Sequence, residues 1–474
     1  MNSRQRLEYQ SEPDSRRSWR LIFLALAATW LLTAAVAGAH EESQPEPSLD
    51  QAIALESFDQ VWEQVRAQYF DFQRIESEWQ ETKLRLRPQA AKAPDLATLR
   101  SVLQELLEVI GESHFTVIPS DAYEQLADLA ETSEADSPDS APSAPRAATG
   151  LSVRVIDSAV RVTEVQPDSP AGAAGIKPGW RLLEVDRLEM EPLLEELDAM
   201  ADQADRRRSI ALLEYGLLGR VTQTRPEREI SLRLQDASGE QREVSLVGRA
   251  TTHGAVQIGN LPPMTFDFSL EQLNTDAGCV SYIRFTSWVP ALAEEFRSRR
   301  DEIFACGGLI LDVRGNPGGV LPTMVTLAAD LFEETALLGS LLRSDGHIDF
   351  RVMPRRVAMD GSRLTPFSGP IAILIDGMSG STSEMFAAGM QATERARLFG
   401  ERSAGMALPA QVMPLASGDI LMYAFADYRD SLDRRIEGLG AIPDTPVQLT
   451  AATLTASTSP VLQAALDWIA GEIK

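Results

Sequence analysis

The clearest structural pattern in the sequence is IAILIDGMSGSTSEMF, residues 371–386. Its first five residues are all apolar, a run typical of a fully buried strand, and the small residues that follow lead into a helical pattern. A buried strand that ends at small residues and enters a helix is the repeating unit of layered α/β folds. Such a turn lifts a serine hydroxyl to the edge of the sheet, close to the N-terminus of a helix.

The same alternation continues on the N-terminal side of this stretch. A strand pattern at 308–313 precedes a helical pattern at 321–331, and a strand pattern at 280–285 precedes a helical one at 291–303. Strands that alternate with helices predict an α/β core with a mixed, mainly parallel sheet over residues 254–474. Active groups of such layers lie at the carboxyl ends of the strands.

Three further regions precede this core. Apolar residues at helical spacing predict an N-terminal helical domain over residues 45–130. Residues 131–149 are rich in Ser, Pro, Ala and acid, which predicts a flexible linker. Short alternating runs around a glycine and proline turn predict a compact β-rich domain over residues 150–250, with an insertion at 193–224.

The N-terminus has the pattern of an export signal. Five arginines lie within residues 1–20, and residues 21–39 carry no charge. Residues 1–40 are therefore expected to act as a cleaved signal peptide or as a membrane anchor through residues 21–39, with the rest of the chain extracytoplasmic. The two cysteines, Cys279 and Cys306, allow one disulfide at most, and we interpret both as buried apolar residues.

Composition excludes one class of partner. The formal net charge of −25, from 44 basic and 69 acidic residues, repels phosphate backbones, so nucleic acid is not expected as a partner. The acidic run at 195–198 is interpreted as a solvated helix face.

Two turns carry candidate chemistry. Ser379, Ser381 and Ser383 compete as a nucleophile, since any of them could instead cap the helix. In the stretch ILDVRGNPGG, residues 310–319, backbone amides could face an anion, although the loop taken alone favours a plain tight turn. A phosphate-binding loop is excluded because the Gly-Lys-Ser/Thr ending is absent.

A serine nucleophile needs a base, and the core offers few. None of the four lysines lies between residues 254 and 459, so the base should be a histidine. Beyond the signal region only His114, His253 and His347 remain, and the last two are interpreted as structural. Because no second histidine or cysteine stands at ligand spacing, neither a metal nor another cofactor is expected.

Several segments together resemble a known family. ILDVRGNPGG, residues 371–405, EGLGAIPDTPV and LLEVIGESHF are similar to the C-terminal-processing and tricorn-type serine peptidases, in their histidine-using branch. The β-rich domain resembles PDZ domains, whose loop amides hold the terminal carboxylate of a peptide while that peptide extends the sheet. These resemblances imply a serine endopeptidase acting on protein or peptide substrates, with the PDZ domain either capturing substrate C-termini or gating the site.

The resemblance also implies roles for particular residues. Ser381 would be the nucleophile and His114 its base, with Ser113 bridging that histidine to the acidic partner. Lysine-using relatives carry their lysine in a turn that corresponds to Met406, so the chain is either an enzyme of the histidine branch or an inactive relative. Two other functions are a non-catalytic PDZ scaffold for exported proteins and an esterase. The remaining implied positions are the acidic partner Glu437, the oxyanion-hole amides of Gly318 or Gly319 and of Thr382, and the peptide-binding loop Gly150, Leu151, Ser152 and Val153.

Overall fold

The computed structural model describes residues 49–120, 147–224, 228–250, 255–256, 264–456 and 458–473. The first of these ranges is helical because its apolar residues recur on one helix face, and two of its three helices begin at a capping aspartate. Asp50 accepts a hydrogen bond from the amide of Ala52 (2.7 Å), and Asp95 accepts one from Thr98 (2.7 Å). The elements are α1 (Gln51–Gln68), α2 (Phe72–Ala90), α3 (Leu96–Leu107) and the short strand β1 (Thr116–Ile118).

A β-rich module follows, defined here as residues 147–250. Its main sheet has the order β3-β4-β5-β8-β9, with β6 paired to β5, and its helices α5 and α6 fall in the predicted insertion. β3 is therefore an edge strand. The elements are β2 (Ala147–Ala148), β3 (Leu151–Ile156), β4 (Ala159–Val165), α4 (Pro170–Ala173), β5 (Arg181–Val185), β6 (Leu188–Glu189), α5 (Glu191–Asp198), α6 (Gln203–Leu217), β7 (Gln223–Thr224), β8 (Glu229–Gln235), β9 (Gln241–Val247) and β10 (Arg249–Ala250).

The C-terminal half contains the large sheet. A short hairpin of β11 (Ala255–Val256) and β12 (Met264–Thr265) leads into it. Its elements are β13 (Phe268–Thr275), β14 (Gly278–Phe285), α7 (Pro290–Ser298), α8 (Arg300–Ile303), β15 (Gly308–Asp312), α9 (Leu321–Ala328), β16 (Ala336–Arg343), β17 (Gly346–Val352), β18 (Ile371–Ile375), α10 (Thr382–Ala392), β19 (Arg397–Gly400), β20 (Ala410–Pro414), β21 (Ile420–Ala424), β22 (Asp427–Asp430), β23 (Thr445–Pro446) and α11 (Pro460–Glu472).

The large sheet has six strands in the order β13-β14-β15-β18-β19-β23. β13 is antiparallel to β14, and the other neighbouring pairs are parallel. Helices α7, α9 and α10 pack against one face, while α11 covers the other through Val461, Ala465 and Ile469. Both faces are buried, which explains the uninterrupted apolar runs of β15 and β18. The mixed, mainly parallel α/β sheet predicted from the sequence is confirmed.

The N-terminal helices do not form a separate core. Their apolar faces pack together with Leu408, Leu415, Leu421 and Tyr423 from the C-terminal half. Strand β1 also pairs antiparallel with β21, and β21 pairs with β20. This long-range packing brings the segment after α3 to the C-terminal half of the chain.

The interpretation of the cysteines as unpaired apolar residues is wrong. Cys279 and Cys306 form a disulfide with a Cα–Cα distance of 4.9 Å. The pairing follows from the sheet, because β14 and β15 are parallel neighbours with Val280 opposite Gly308. Cys279 lies one residue before Val280 and Cys306 two residues before Gly308, so both cysteines lie at the N-terminal ends of the two paired segments.

Candidate active site

Ser381 lies in the turn between β18 and α10. Its φ of 51° and ψ of −119° fall in a region that non-glycine residues rarely occupy. Strain of this kind at a strand-to-helix turn is typical of exposed nucleophiles. The Ser381 amide donates to the carbonyl oxygen of Met406 (2.9 Å) and to Glu384 Oε2 (3.0 Å). These hydrogen bonds hold the backbone in that conformation, and the residue stays partly exposed.

The two competing serines are buried and serve the turn itself. Ser379 Oγ donates to the carbonyl oxygen of Val313 (2.8 Å), which ties the ends of β18 and β15 together. Ser383 Oγ accepts a hydrogen bond from Trp288 Nε1 (2.9 Å). Both serines have no exposed surface, whereas Ser381 is partly exposed.

The glycine-rich turn after β15 packs directly against this serine. A Cβ added at Gly318 would lie 2.7 Å from Ser381 Cβ and 2.9 Å from the amide nitrogen of Thr382. The Gly318 amide already donates to Asn316 Oδ1 (2.9 Å). Within the described residues, the amides of Gly319 and Thr382 donate to no protein acceptor. Among the amides predicted to form an oxyanion hole, the Gly318 amide is therefore the one already engaged by a protein acceptor.

Ser113, His114 and Glu437 form one chain of hydrogen bonds. Ser113 Oγ lies 2.7 Å from His114 Nδ1 and donates to Glu437 Oε2 (2.9 Å), while the Ser113 amide donates to Glu437 Oε1 (2.9 Å). The amide of Ala407 also donates to Glu437 Oε2 (2.8 Å), and Arg208 approaches Oε1 at 3.5 Å. Burial raises the pKa of Glu437, and Arg208 and these hydrogen bonds oppose that effect.

This chain of hydrogen bonds assigns the tautomer of His114. Because Ser113 gives its proton to Glu437, its Oγ can only accept from the ring, so Nδ1 carries the proton. The lone pair of Nε2 is then free to take a proton. Burial lowers the pKa of His114 to about 4, which keeps the ring neutral at pH 7.

Residues 405–407 connect the hydrogen bonds of Ser381 to those of Glu437. The Met406 carbonyl accepts from the Ser381 amide, and the Ala407 amide donates to Glu437. In the part of the chain that the structure describes, no direct hydrogen bond joins the Ser381 hydroxyl to the His114 ring. Such contacts are often long without substrate and shorten in the substrate complex.

The β-rich module contributes residues that the sequence analysis did not single out. Tyr215, on α6, donates through its hydroxyl to the carbonyl oxygen of Met378 (2.5 Å), in the turn before Ser381. Arg207 donates to the carbonyl oxygen of Gly438 (2.7 Å), and Arg208 is buried beside Glu437. All three lie in the insertion at 193–224, where no motif distinguished them from ordinary helix residues.

Glu384 is a fourth residue that was missed, although a signal for it existed. It lies three residues after Ser381, at the spacing of a helix capping box, and its carboxylate does accept from the Ser381 amide.

The predicted peptide-binding residues begin the edge strand β3. Gly150 has a φ of 75°, and a Cβ there would lie 2.1 Å from that of Ser169, so the position requires glycine. Along the open edge of β3, the Val155 amide donates to Glu214 Oε1 (2.7 Å), and the Leu151 carbonyl accepts from Thr222 Oγ1 (2.5 Å). The edge that would pair with a peptide is therefore occupied by side chains of the chain itself.

The remaining sequence predictions have simpler outcomes. His347 lies on β17 with an exposed side chain, and His253 lies outside the described residues. Across the described ranges, no group of three or more His, Cys, Asp or Glu residues is arranged to hold a metal ion. Residues 1–40, predicted to be an export signal or anchor, lie outside the described residues. Among the helices that the structure does describe, none is long and apolar enough to cross a membrane.

Part of this chain matches a known protein family. Residues 279–447 match the model of Peptidase family S41. The carboxyl-terminal-processing protease of Synechocystis sp. is 23% identical over 469 residues, which cover 97% of this chain and 95% of that protein. The carboxy-terminal-processing protease of Bartonella bacilliformis is 23% identical over 307 residues, 63% of this chain and 61% of the relative.

Solved structures share the fold at low sequence identity. The photosystem II D1 C-terminal processing protease aligns with a TM-score of 0.51 and 18% identity, over 86% of this chain and 99% of its own. Mature CPAF aligns with a TM-score of 0.55 and 14% identity, over 89% of this chain and 97% of its own. Both alignments extend well beyond the residues matched by the family model.

Proposed function

Since residues 279–447 match the model of Peptidase family S41, we propose that the chain cleaves protein substrates through an acyl-enzyme, with Ser381 as nucleophile and His114 as general base. The observation that carries this proposal is the buried chain of hydrogen bonds from Glu437 through Ser113 to the His114 ring. A neutral imidazole with its Nε2 lone pair free is the form that a general base requires.

In the first step, Ser381 Oγ attacks the substrate carbonyl carbon and His114 Nε2 takes the hydroxyl proton. The imidazolium then carries its new charge two hydrogen bonds from the Glu437 carboxylate, with Ser113 between them. Burial disfavours the charged form of His114. The Glu437 carboxylate therefore stabilises the ring most strongly at this step, when the positive charge forms.

The carbonyl oxygen becomes an oxyanion in the same step. The proposed donors are the amides of Gly319 and Thr382, since the Gly318 amide is engaged with Asn316. The hydroxyl of Thr382 donates to the Gly319 carbonyl (2.8 Å), which holds the two turns beside each other. Amides fixed in this way stabilise developing charge without reorganising.

Collapse of the tetrahedral intermediate breaks the peptide bond. His114 gives its proton to the leaving amine, and the acyl group stays on Ser381. Water then attacks the ester with His114 again as base, and the serine hydroxyl is restored. No lysine takes part, which agrees with the methionine at position 406.

We also propose that the β-rich module is a PDZ domain that gates the site rather than only recruiting substrate. A peptide that paired with β3 would have to displace Glu214 from the Val155 amide. Glu214 lies on α6 next to Tyr215, whose hydroxyl donates to the turn before the nucleophile. The same helix carries Arg207 and Arg208, which contact Gly438 and Glu437. One helix thus contacts both the peptide edge and the active site.

The site is proposed to work in an extracytoplasmic compartment. The disulfide between Cys279 and Cys306 supports an oxidising environment, where such bonds persist. The export signal or anchor predicted for residues 1–40 would deliver the chain there.

The test is turnover of an unfolded protein by the wild type and by the variants Ser381→Ala and His114→Ala. His347→Ala is a matched control, because this histidine is exposed on β17. Both active-site variants should lose turnover while the control keeps it. Full activity in either active-site variant would end the assignment.

Labelling and substrate choice separate the rival functions. A fluorophosphonate requires an activated serine, so a non-catalytic scaffold would not be labelled. An esterase would hydrolyse small esters but leave peptide and protein substrates intact.

A further inference from the structure

Glu384 is a fully buried carboxylate that the proposed reaction does not use. Its Oε1 accepts from Ser403 Oγ (2.6 Å) and from the amide of Gly405 (2.7 Å). Its Oε2 accepts from the amides of Ser381 (3.0 Å) and Met406 (2.9 Å). Four donors converge on two oxygen atoms, which is the full accepting capacity of an ionised carboxylate.

These contacts suit only the ionised form. A protonated carboxyl would direct its own O–H at one of four groups that already point a hydrogen at it. Three of them are backbone amides, which cannot reverse their direction. The fourth, Ser403 Oγ, accepts from the amide of Ala441 (2.6 Å), which turns its own proton toward Glu384. Protonation would therefore break at least one of the four hydrogen bonds.

Glu384 binds the backbone of segment 405–407, which also hydrogen-bonds to Ser381 and to Glu437. Two of its three successive amides donate to Glu384, and the third, from Ala407, donates to Glu437 (2.8 Å). The Met406 carbonyl accepts from the Ser381 amide (2.9 Å). The segment is thus held between two carboxylates and is hydrogen-bonded to the backbone of Ser381.

We propose that ionised Glu384 is a positioning residue for the peptidase reaction, which holds segment 405–407 against both Ser381 and Glu437 so that activity is lost when Glu384 takes up a proton. This inference rests on the proposed function, because it assumes that Ser381 is the nucleophile. It adds a second ionisable group, besides the histidine, that must be deprotonated for turnover.

The charges around Glu384 place the effect in an accessible pH range. Burial raises the pKa of Glu384 to about 7, and the nearby Glu437 acts in the same direction. The hydrogen bonds from Ser403, Gly405 and Met406 oppose this rise. From α6, Arg207 favours the ionised form of Glu384, and Tyr215 is the other titratable group that interacts with it.

The two ionisable groups predict different acid limbs. His114, with a pKa of about 4, would keep kcat/KM constant down to nearly pH 5 if it acted alone. Glu384 would make kcat/KM fall about tenfold per pH unit below pH 7. The position of the limb therefore distinguishes a requirement for Glu384 from a requirement for the histidine alone.

The experiment is the pH profile of peptide hydrolysis between pH 5 and 9, approximately, for the full chain, for Glu384→Gln and for Glu394→Gln. Glu394, exposed just after the same helix, is the matched control. The wild type and the control should share an acid limb near pH 7. Glu384→Gln should be about 10- to 100-fold slower at pH 8 and nearly independent of pH down to pH 5.5, approximately. A wild-type limb in Glu384→Gln, or unchanged activity, would overturn the inference.

A second variant covers the case in which Glu384→Gln fails to fold. Ser403→Ala removes one donor while leaving the charge in place, so it should raise the pKa of Glu384 and move the acid limb to higher pH. A limb that stays in place in folded Ser403→Ala would also overturn the inference. Ser381→Ala separates the two proposals. If this variant remains active, the proposed function fails. If it is inactive but Glu384→Gln keeps the wild-type pH profile, only the role of Glu384 is removed.

Discussion

Replacing Ser113 by alanine isolates the link between the histidine and its acidic partner. The substitution removes the 2.7 Å contact to His114 Nδ1 and the 2.9 Å contact to Glu437 Oε2. Glu437 keeps the Ser113 amide (2.9 Å) and the Ala407 amide (2.8 Å), so the carboxylate should stay in place. The ring, in contrast, loses the group that orients its Nδ1–H. The variant therefore tests orientation of the base without dismantling the site.

The magnitude follows from one lost hydrogen bond to a charge that forms in the transition state. Such a bond is worth about 1.5–3 kcal/mol. That free energy corresponds to about a 10- to 150-fold loss in kcat. The loss should lie in kcat rather than KM, because the interaction strengthens only when His114 becomes charged.

Steady-state peptide hydrolysis near pH 8 measures this effect, with Ser101→Ala as the control. Ser101 lies on α3 and its hydroxyl bonds only the Ala97 carbonyl within its own helix (3.0 Å). The double variant Ser113→Ala with Glu437→Gln should be no slower than the slower single variant, since both act through one chain of hydrogen bonds. Wild-type kcat in Ser113→Ala, or strictly additive losses in the double variant, would show that Ser113 does not link His114 to Glu437.

Two further predictions concern the oxyanion turn and the peptide edge. Gly318→Ala should reduce kcat/KM at least about 100-fold, because the added Cβ would lie 2.7 Å from that of Ser381 at a φ of 108°. The control Gly346→Ala, whose Cβ would enter open space on a hairpin, should keep its activity, and equal kinetics in the two variants would contradict this prediction. Glu214→Gln should make the melting temperature depend less on pH. Burial raises the pKa of Glu214 from 4.5 to about 8. The stability that its protonated form contributes is therefore complete below about pH 4.5 and is lost as the pH rises to about 8. A difference in melting temperature between wild type and Glu214→Gln that does not change across this window would argue against the prediction.

The fold could be predicted largely because its central strands are buried on both faces. The apolar runs of β15 and β18 and the glycine-rich turns after them are local signals, and the structure bears them out. The disulfide could not be predicted in this way. It depends on the parallel register of β14 and β15, which no local pattern specifies.

The site was only partly accessible from the sequence. Ser379, Ser381 and Ser383 differ in burial, and that burial depends on tertiary contacts such as the one from Trp288 to Ser383. The resemblance to a family, rather than the residues themselves, selected Ser381. The contacts of α6 were missed because Arg208 and Tyr215 become meaningful only once the β-rich module packs against the turn before the nucleophile.

Fluorophosphonate labelling of the wild type and of His114→Ala tests whether His114 activates Ser381, with the rate measured and the labelled residue mapped by mass spectrometry. The label should attach to Ser381, and loss of the imidazole should slow labelling by about 100-fold or more, because the serine then lacks its base. Labelling of His114→Ala at the wild-type rate, or attachment at a serine other than Ser381, would contradict this prediction.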